Sequence, residues 1–382
     1  MPTAAVDDHG SVLYYEDSGA PSTSSGYVTL VLIHGTCFHG AGFRPLIPLA
    51  KEHNFRLVLL NLRGYPGSTP YSDAELELFR GTLDDEQAAL QTRGFEIDTF
   101  LRWFIENENI PKIHTTAGSD QKSGGLSILA WSGGNSQTLP FFANADKLSE
   151  NTRALLGAYI RSFIMYDPSH TAVGVQPPPG LKSLLFDPMA SPEEQALQFG
   201  LSVSAYYPPF TLPDSIHHTT SYAPRGPLND PQPTTAKLTD QEIRDLTHPA
   251  IFERTQHALW SPTLSSLYEK NALRALFDCR LLDDSSGAKK KVWPGVRVHV
   301  VWCDMTAGEL AWAVAVLRSR YRESDPDARS VGVRTARQAW CEPRPCFGRT
   351  SLVAPLTRLV PPCPALADSP RFVYECHVSL IL

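Results

Sequence analysis

The chain has 382 residues, 42% of them hydrophobic, and a formal net charge of −6. That length suits one large α/β domain with an insertion, or two modest domains, and the acidic balance offers no footprint for a nucleic-acid partner. The first residues lack a basic segment followed by an apolar one, and no apolar stretch is long enough to span a bilayer, so the expected location is cytoplasmic.

In chain order, residues 10–17 alternate like a strand after a turn at His9-Gly10. The β-branched apolar run Tyr27–Ile33 reads as a buried strand, and Leu57–Asn61, Leu126–Trp131, Ile160–Tyr166 and Val296–Trp302 read alike. Between them, Ile97, Phe100, Leu101, Phe104 and Ile105 fall at helical spacing within 95–110. Strands alternating with helices predict a mostly parallel central sheet with helices on both faces. From about Asp167 to Lys291 the pattern changes: Pro177-Pro-Pro-Gly180, Tyr206-Tyr-Pro-Pro-Phe210 and the prolines of 224–233 interrupt any long regular element. Within it, Thr239-Asp-Gln-Glu242 reads as a capping box opening a helix. The seven cysteines are irregularly spaced, without metal-ligand spacing, and are expected to be unpaired thiols. His217-His218 has no third ligand at metal spacing and reads as a solvated loop.

Three motifs carry chemistry. Ala130-Trp-Ser-Gly-Gly134 ends a strand where a helix begins at Gly134 or Asn135, and resembles the G-x-S-x-G nucleophile elbow with Ala in the first glycine's place. Val31-Leu-Ile-His-Gly-Thr36 resembles a His-Gly oxyanion loop, and Asn61-Leu-Arg-Gly-Tyr-Pro-Gly-Ser68 resembles a D-x-R-G-x-G-x-S turn with Asn for Asp and one extra residue. Together, over roughly 10–170 and 290–318, they resemble the capped serine-hydrolase branch of the α/β-hydrolase family. The resemblance implies a hydrolase core over 1–167 and 292–320, with 168–291 inserted as a cap.

It also implies roles. Ser132 is the expected nucleophile, and the N–H groups of Gly133 and Thr36 the expected oxyanion donors, with His34 structural. A serine hydroxyl needs a base, usually histidine, and an acid to orient it, in the chain order Ser, acid, His. Asp304, after the run ending at Trp302, is the expected acid, although relatives carry theirs where this chain has Thr306. Asp167 is the alternative acid, and Glu309 a distant third. The competing reading of Asp304 is a cap for the next helix. The only histidine after Asp304 is His377, which is the candidate base; His299 precedes the acid inside a strand. The expected chemistry is acyl transfer on a small-molecule ester or related acyl substrate, with no cofactor or metal. A serine at the elbow argues against dehalogenase and epoxide-hydrolase chemistry, which uses Asp there. Tyr206, Tyr207, Phe210, Trp260 and Tyr268 either line an acyl pocket or form the cap's own core. Oligomeric state is not legible.

Residues 321–382 form an atypical tail. Lysine is absent after Lys291, and Arg, Pro and Cys crowd runs such as Trp340-Cys-Glu-Pro-Arg-Pro-Cys346. One reading is a frame error. Trp340–Arg344 encoded as TGG TGC GAA CCA CGC becomes, one base on, GGT GCG AAC CAC, or Gly-Ala-Asn-His, the context in which the family carries its base. The other is a divergent or disordered tail. The rival function is a catalytically impaired homologue that lacks the base and serves in binding, or a non-hydrolytic member that binds or rearranges a small molecule.

Overall fold

A computed structural model describes residues 2–22, 24–115, 122–178, 181, 189–213, 216, 226–278, 280–283, 289–324 and 329–336, with backbone only at 280–283 and 289. Buried apolar runs build its centre. Val28–Ile33, Phe55–Leu60 and Leu126–Trp131 are buried along nearly their whole length, as strands covered on both faces must be. Side chains alternate between two cores. Val31, Ile33, Val58 and Leu60 face one, while Leu30, Leu32, Leu57 and Leu59 face the other.

Eight strands form the main sheet: β1 Thr3–Ala5, β2 Val12–Asp17, β3 Val28–Ile33, β4 Phe55–Leu60, β5 Leu126–Trp131, β6 Ile160–Tyr166, β7 Arg297–Cys303 and β8 Val331–Ala336. Their spatial order is β1-β2-β4-β3-β5-β6-β7-β8. From β4 to β8 every neighbouring pair is parallel; β2 runs antiparallel to β4, and β1 to β2. The C-terminal ends of six parallel strands therefore open toward one edge of the sheet, where loops meet.

Five longer helices surround it: α1 Leu83–Asn107, α2 Asn135–Ala143, α3 Pro192–Val203, α4 Ser265–Leu276 and α5 Gly308–Glu323. Helix α1 starts twelve residues before its apolar periodicity does, at a capping box in which Thr82 and Asp85 satisfy each other's backbone N–H. Near its middle it buries Arg93 and Glu96, charged residues that interrupt the apolar pattern. Thr239 and Glu242 form the expected capping box ahead of Asp240–Leu246. In the segment between β6 and β7, α3 packs on the turn Pro249–Phe252, and α4 packs on α2.

The structure departs from the sequence reading at both ends of the sheet. β1 was not foreseen. The expected boundary at residue 320 is also too early: α5 continues to Glu323, and Val331–Ala336 pairs in parallel register with β7, Val298 opposite Val331 through Cys303 opposite Ala336. The rest of the tail, 337–382, including His377, Cys341, Cys346, Cys363 and Cys376, lies outside the described residues, as do His217-His218 and Cys279. Cys37 and Cys303 are buried free thiols. Among the described residues no helix is long and apolar enough to cross a membrane.

One close contact fixes the helix that follows β5. A Cβ added at Gly94 in α1 would meet Phe141 N at 2.6 Å and Pro140 C at 2.7 Å, both backbone atoms of α2. Gly94→Ala gains up to about 1 kcal/mol of helix propensity but forces two helices apart at a cost of about 1–3 kcal/mol. The expected result is net destabilisation, read as a lower midpoint in urea unfolding; an unchanged or raised midpoint contradicts this packing.

Candidate active site

β5 ends in an extended residue, Trp131 (φ −96°, ψ 133°), and the chain turns through Ser132 at φ 48° before Gly134 and Asn135 enter right-handed helix. A single left-handed residue between strand and helix reverses the chain abruptly and leaves its side chain at the outside of the bend. No room exists for larger neighbours. A Cβ at Gly134 would lie 2.4 Å from His34 O, and one at Gly133 2.5 Å from Thr36 Oγ1. Asn135 fastens the turn from within, its Nδ2 donating to Ala130 O at 3.0 Å and Ser132 O at 2.9 Å. Ser132 is half-buried, and its Oγ makes no hydrogen bond among the described residues.

The same contacts bring the loop after β3 against the elbow. Gly133 N–H stands in the first turn of a helix, where backbone donors have no partner within the helix. Thr36 N–H is likewise unengaged among the described residues. Its loop is held from three sides. His34 spends both ring nitrogens on backbone: Nε2 accepts from Leu62 N at 3.1 Å, so Nδ1 carries the proton and donates to Gly35 O at 2.8 Å. Burial pushes this imidazole down to about 3, so it stays neutral and structural. Cys37, at φ 72°, donates its N–H to Tyr65 Oη at 3.0 Å, and Gly40 N–H donates to Asn61 Oδ1 at 2.7 Å. Asn61 also donates through Nδ2 to Pro66 O at 2.8 Å, which a carboxylate in its place could not do.

This is the α/β-hydrolase fold. It rests on the strand order together with a strained serine between β5 and α2. No family model matches the chain, and no curated protein matches it. Similar solved structures include a carboxylesterase of the thaumarchaeon Nitrososphaera gargenis (13% identity, TM-score 0.40, covering 88% of this chain and 90% of that one). A bromoperoxidase from Bacillus anthracis (13%, 0.40, 87% and 91%) and an epoxide hydrolase from Vigna radiata (11%, 0.44, 87% and 90%) are others. Likeness at this level decides nothing about activity.

Two expected acids stand at the ends of neighbouring strands. Trp131 pairs with Tyr166, so Ser132 and Asp167 are the next residues in register, and Asp167 also leaves its strand at positive φ, 44°. Asp167 is buried, its Oδ1 accepting from Cys303 N at 3.2 Å and its Oδ2 from Thr306 Oγ1 at 3.1 Å. Thr306 therefore holds this carboxyl. Burial raises Asp167 to about 6, more than the two donors lower it. Asp304 is half-buried in the turn after β7, its N–H donating to Ala336 O at 3.2 Å and its carbonyl accepting from Phe210 N at 2.7 Å. It does not cap α5: the N-cap is Ala307, without a side-chain bond.

The sequence reading missed His170. It lies three residues after Asp167, immediately before the turn Thr171–Val173 that packs on Ser132–Gly134. Its Nδ1 is buried without a hydrogen bond, 3.7 Å from Glu309 Oε2, and burial pushes the ring down to about 4. The nearby carboxylate does not offset that desolvation. The run Asp167-Pro-Ser-His170 was the available signal. His299 sits within β7, as expected, with Nδ1 buried and unbonded. Among the described residues no group of three His, Cys, Asp or Glu could hold a metal.

Asp167 carries a pH signature. Its folded-state value lies above the unfolded one, so the folded chain holds this proton between about pH 4 and 6 where the unfolded chain releases it. Stability from this group is greatest below pH 4 and falls, by on the order of a few kcal/mol, as pH rises through 6. Urea unfolding of the protein and of Asp167→Asn at intervals from pH 4 to 7 isolates it. The difference between their stabilities should shift in the variant's favour across that window; parallel curves contradict an elevated Asp167.

Proposed function

We propose that this chain is a serine hydrolase acting on a carboxylic ester or related small-molecule acyl substrate. The observation that carries the proposal is Ser132 held at φ 48° beside two backbone donors, Gly133 and Thr36. Ser132 Oγ attacks the acyl carbon, and the carbonyl oxygen gains the negative charge between the two N–H groups. The serine proton passes to a general base and on to the departing alcohol. Water, deprotonated by the same base, then releases the acid and restores the serine. No metal or cofactor enters this scheme.

Of the two acids, Asp167 is favoured over Asp304. Its carboxyl is buried and fixed by two donors, with lone pairs left to orient an imidazole, and it stands next to Ser132 in register. The base is assigned to the chain beyond β8, which ends at Ala336 at the same edge of the sheet as Ser132 and Asp167. It is either His377 or the histidine of Gly-Ala-Asn-His in the shifted reading of codons 340–344. Segment 168–291 is proposed as the cap, α4 being the part that rests on α2. A cytoplasmic location belongs to the same proposal, supported by the two buried thiols.

The second reading is an impaired homologue without a base. It is favoured by one observation: among the described residues no histidine bonds to Ser132. A fluorophosphonate probe separates the two. An activated serine is labelled at Ser132, and Ser132→Ala abolishes the signal. If this chain is unlabelled but becomes labelled once residues beyond 339 are restored in the shifted frame, the frame-error account holds. No labelling of either protein overturns the hydrolase reading. Sequencing the transcript across codons 320–350 checks the frame directly.

A further inference from the structure

Beside the oxyanion donors lies a cavity of about 20 Å³ bordered by Thr36 and Gly133 from the core and by Thr255 and Gln256 from the segment between β6 and β7. That is room for about one water-sized group. Its walls are unusually short of internal partners. Thr36, Gln137, Thr255 and Gln256 all line it and are between 4% and 8% exposed. Among the described residues, Thr36 Oγ1, Gln137 Nε2, Thr255 Oγ1 and the whole Gln256 side-chain amide make no hydrogen bond; Gln137 uses only Oε1, which accepts from Tyr71 Oη at 3.2 Å. These atoms keep accessible surface rather than being sealed inside the protein, so they are open to a group in the cavity that donates and accepts at once.

The charge there is already balanced. Arg63, the cation on the cavity wall, spends Nη1 on Glu96 at 2.7 Å, Nη2 on Glu75 at 3.0 Å and Pro70 O at 2.9 Å, and Nε on Thr69 O at 2.7 Å. Four of its five N–H groups are thus engaged, and two carboxylates already balance its charge, which leaves it a weak site for a carboxylate or phosphate. Volume thus sets the occupant's size, the unpaired amide and hydroxyls set its chemistry, and the balanced charge of Arg63 sets its charge. A single uncharged hydroxyl meets all three.

We propose that this cavity is a specificity subsite for a hydroxyl on the acyl part of the substrate, on the carbon next to the carbonyl or one beyond it. The position follows from shared walls: Thr36 and Gly133 border the cavity and also carry the N–H groups assigned to the oxyanion. The favoured substrates are therefore short 2- or 3-hydroxyacyl esters. This inference rests on the acyl-transfer reading for its substrate, though not for its binding.

Two arms test it on the full chain. In the first, hydrolysis of methyl lactate and methyl 3-hydroxybutyrate is compared with that of methyl propionate and methyl butyrate by pH-stat. The better hydroxy ester should exceed its plain counterpart in kcat/KM by about tenfold or more, because a site built to bond a hydroxyl is penalised when it is missing. Gln256→Leu should bring that ratio to near one, and Thr255→Val should lower it several-fold, serving alone if Gln256→Leu does not fold. Equal kcat/KM for hydroxy and plain esters overturns the proposal. The second arm needs no chemistry: lactamide should raise Tm above the value in equal propionamide at roughly 50 mM, and Gln256→Leu should erase the difference. Turnover of no ester overturns the hydrolase reading and leaves the amide arm to decide the subsite. Equal shifts in both amides, or a crystal grown with lactamide that shows one bound water only in the cavity, overturn the subsite.

Discussion

A non-glycine residue held in left-handed conformation costs about 1–3 kcal/mol unless its surroundings impose it, and the centre of this molecule is arranged to impose it on Ser132. β5 is paired on both sides, with β3 and β6, so its end cannot drift. α2 is clamped from outside by α1 at Gly94 and from below by α4. A strand and a helix fixed independently leave the three residues between them only one path. Small side chains at Gly133 and Gly134 are the consequence, because His34 O and Thr36 Oγ1 occupy the space where Cβ atoms would go.

His34 is the second constraint, and it turns one strained residue into a site. As a neutral ring with one donor and one acceptor, it joins the loop after β3 to the turn after β4. Protonation would cost the bond from Leu62 N, which is why burial and structure agree in keeping the ring uncharged. Asn61 and Tyr65 complete the connection, binding Gly40 N and Cys37 N. Thr36 lies between these anchors, so its N–H is positioned by bonds made to its neighbours rather than to itself. Donors placed in advance are what stabilise developing charge most effectively.

Much of this was legible in the residues. The buried strands announced themselves as apolar runs, and the elbow, the His-Gly loop and the Asn61–Ser68 turn are local in sequence, each chemistry-bearing residue lying within a few positions of its glycine. What stayed hidden is non-local. β8, Val-Gly-Val-Arg-Thr-Ala, is an edge strand whose middle residues are half-buried or exposed, so its apolar signal is faint. It is held in part by Arg329, a buried guanidinium donating to carbonyls of Val292, Trp293 and Ala275, partners that no spacing rule links. The proposed preference for Asp167 over Asp304 rests on pairing that puts it beside Ser132, and on Thr306, its hydrogen-bond partner from beyond the next strand. His170 and Gln256 likewise gain meaning from what faces them, His170 from Glu309 and Gln256 from an unshared cavity.

The segment between β6 and β7 does more than cover the sheet. Phe38 bridges to Thr247, His39 N–H donates to Leu246 O at 3.2 Å, and His248 N–H donates to Cys37 O at 2.8 Å. These bonds, each contributing about 0.5–1.5 kcal/mol, hold the loop just past Thr36 in addition to Tyr65. The chain then continues for a few residues and supplies Thr255 and Gln256 to the cavity wall. Donor placement and cavity shape thus depend on one stretch of chain. A displacement of that stretch that widened the cavity would also slacken the loop carrying Thr36 N–H. In the proposed acyl transfer, selection of the acyl group and stabilisation of its oxyanion would therefore be mechanically linked, and a change in one residue of 246–256 should be felt in both.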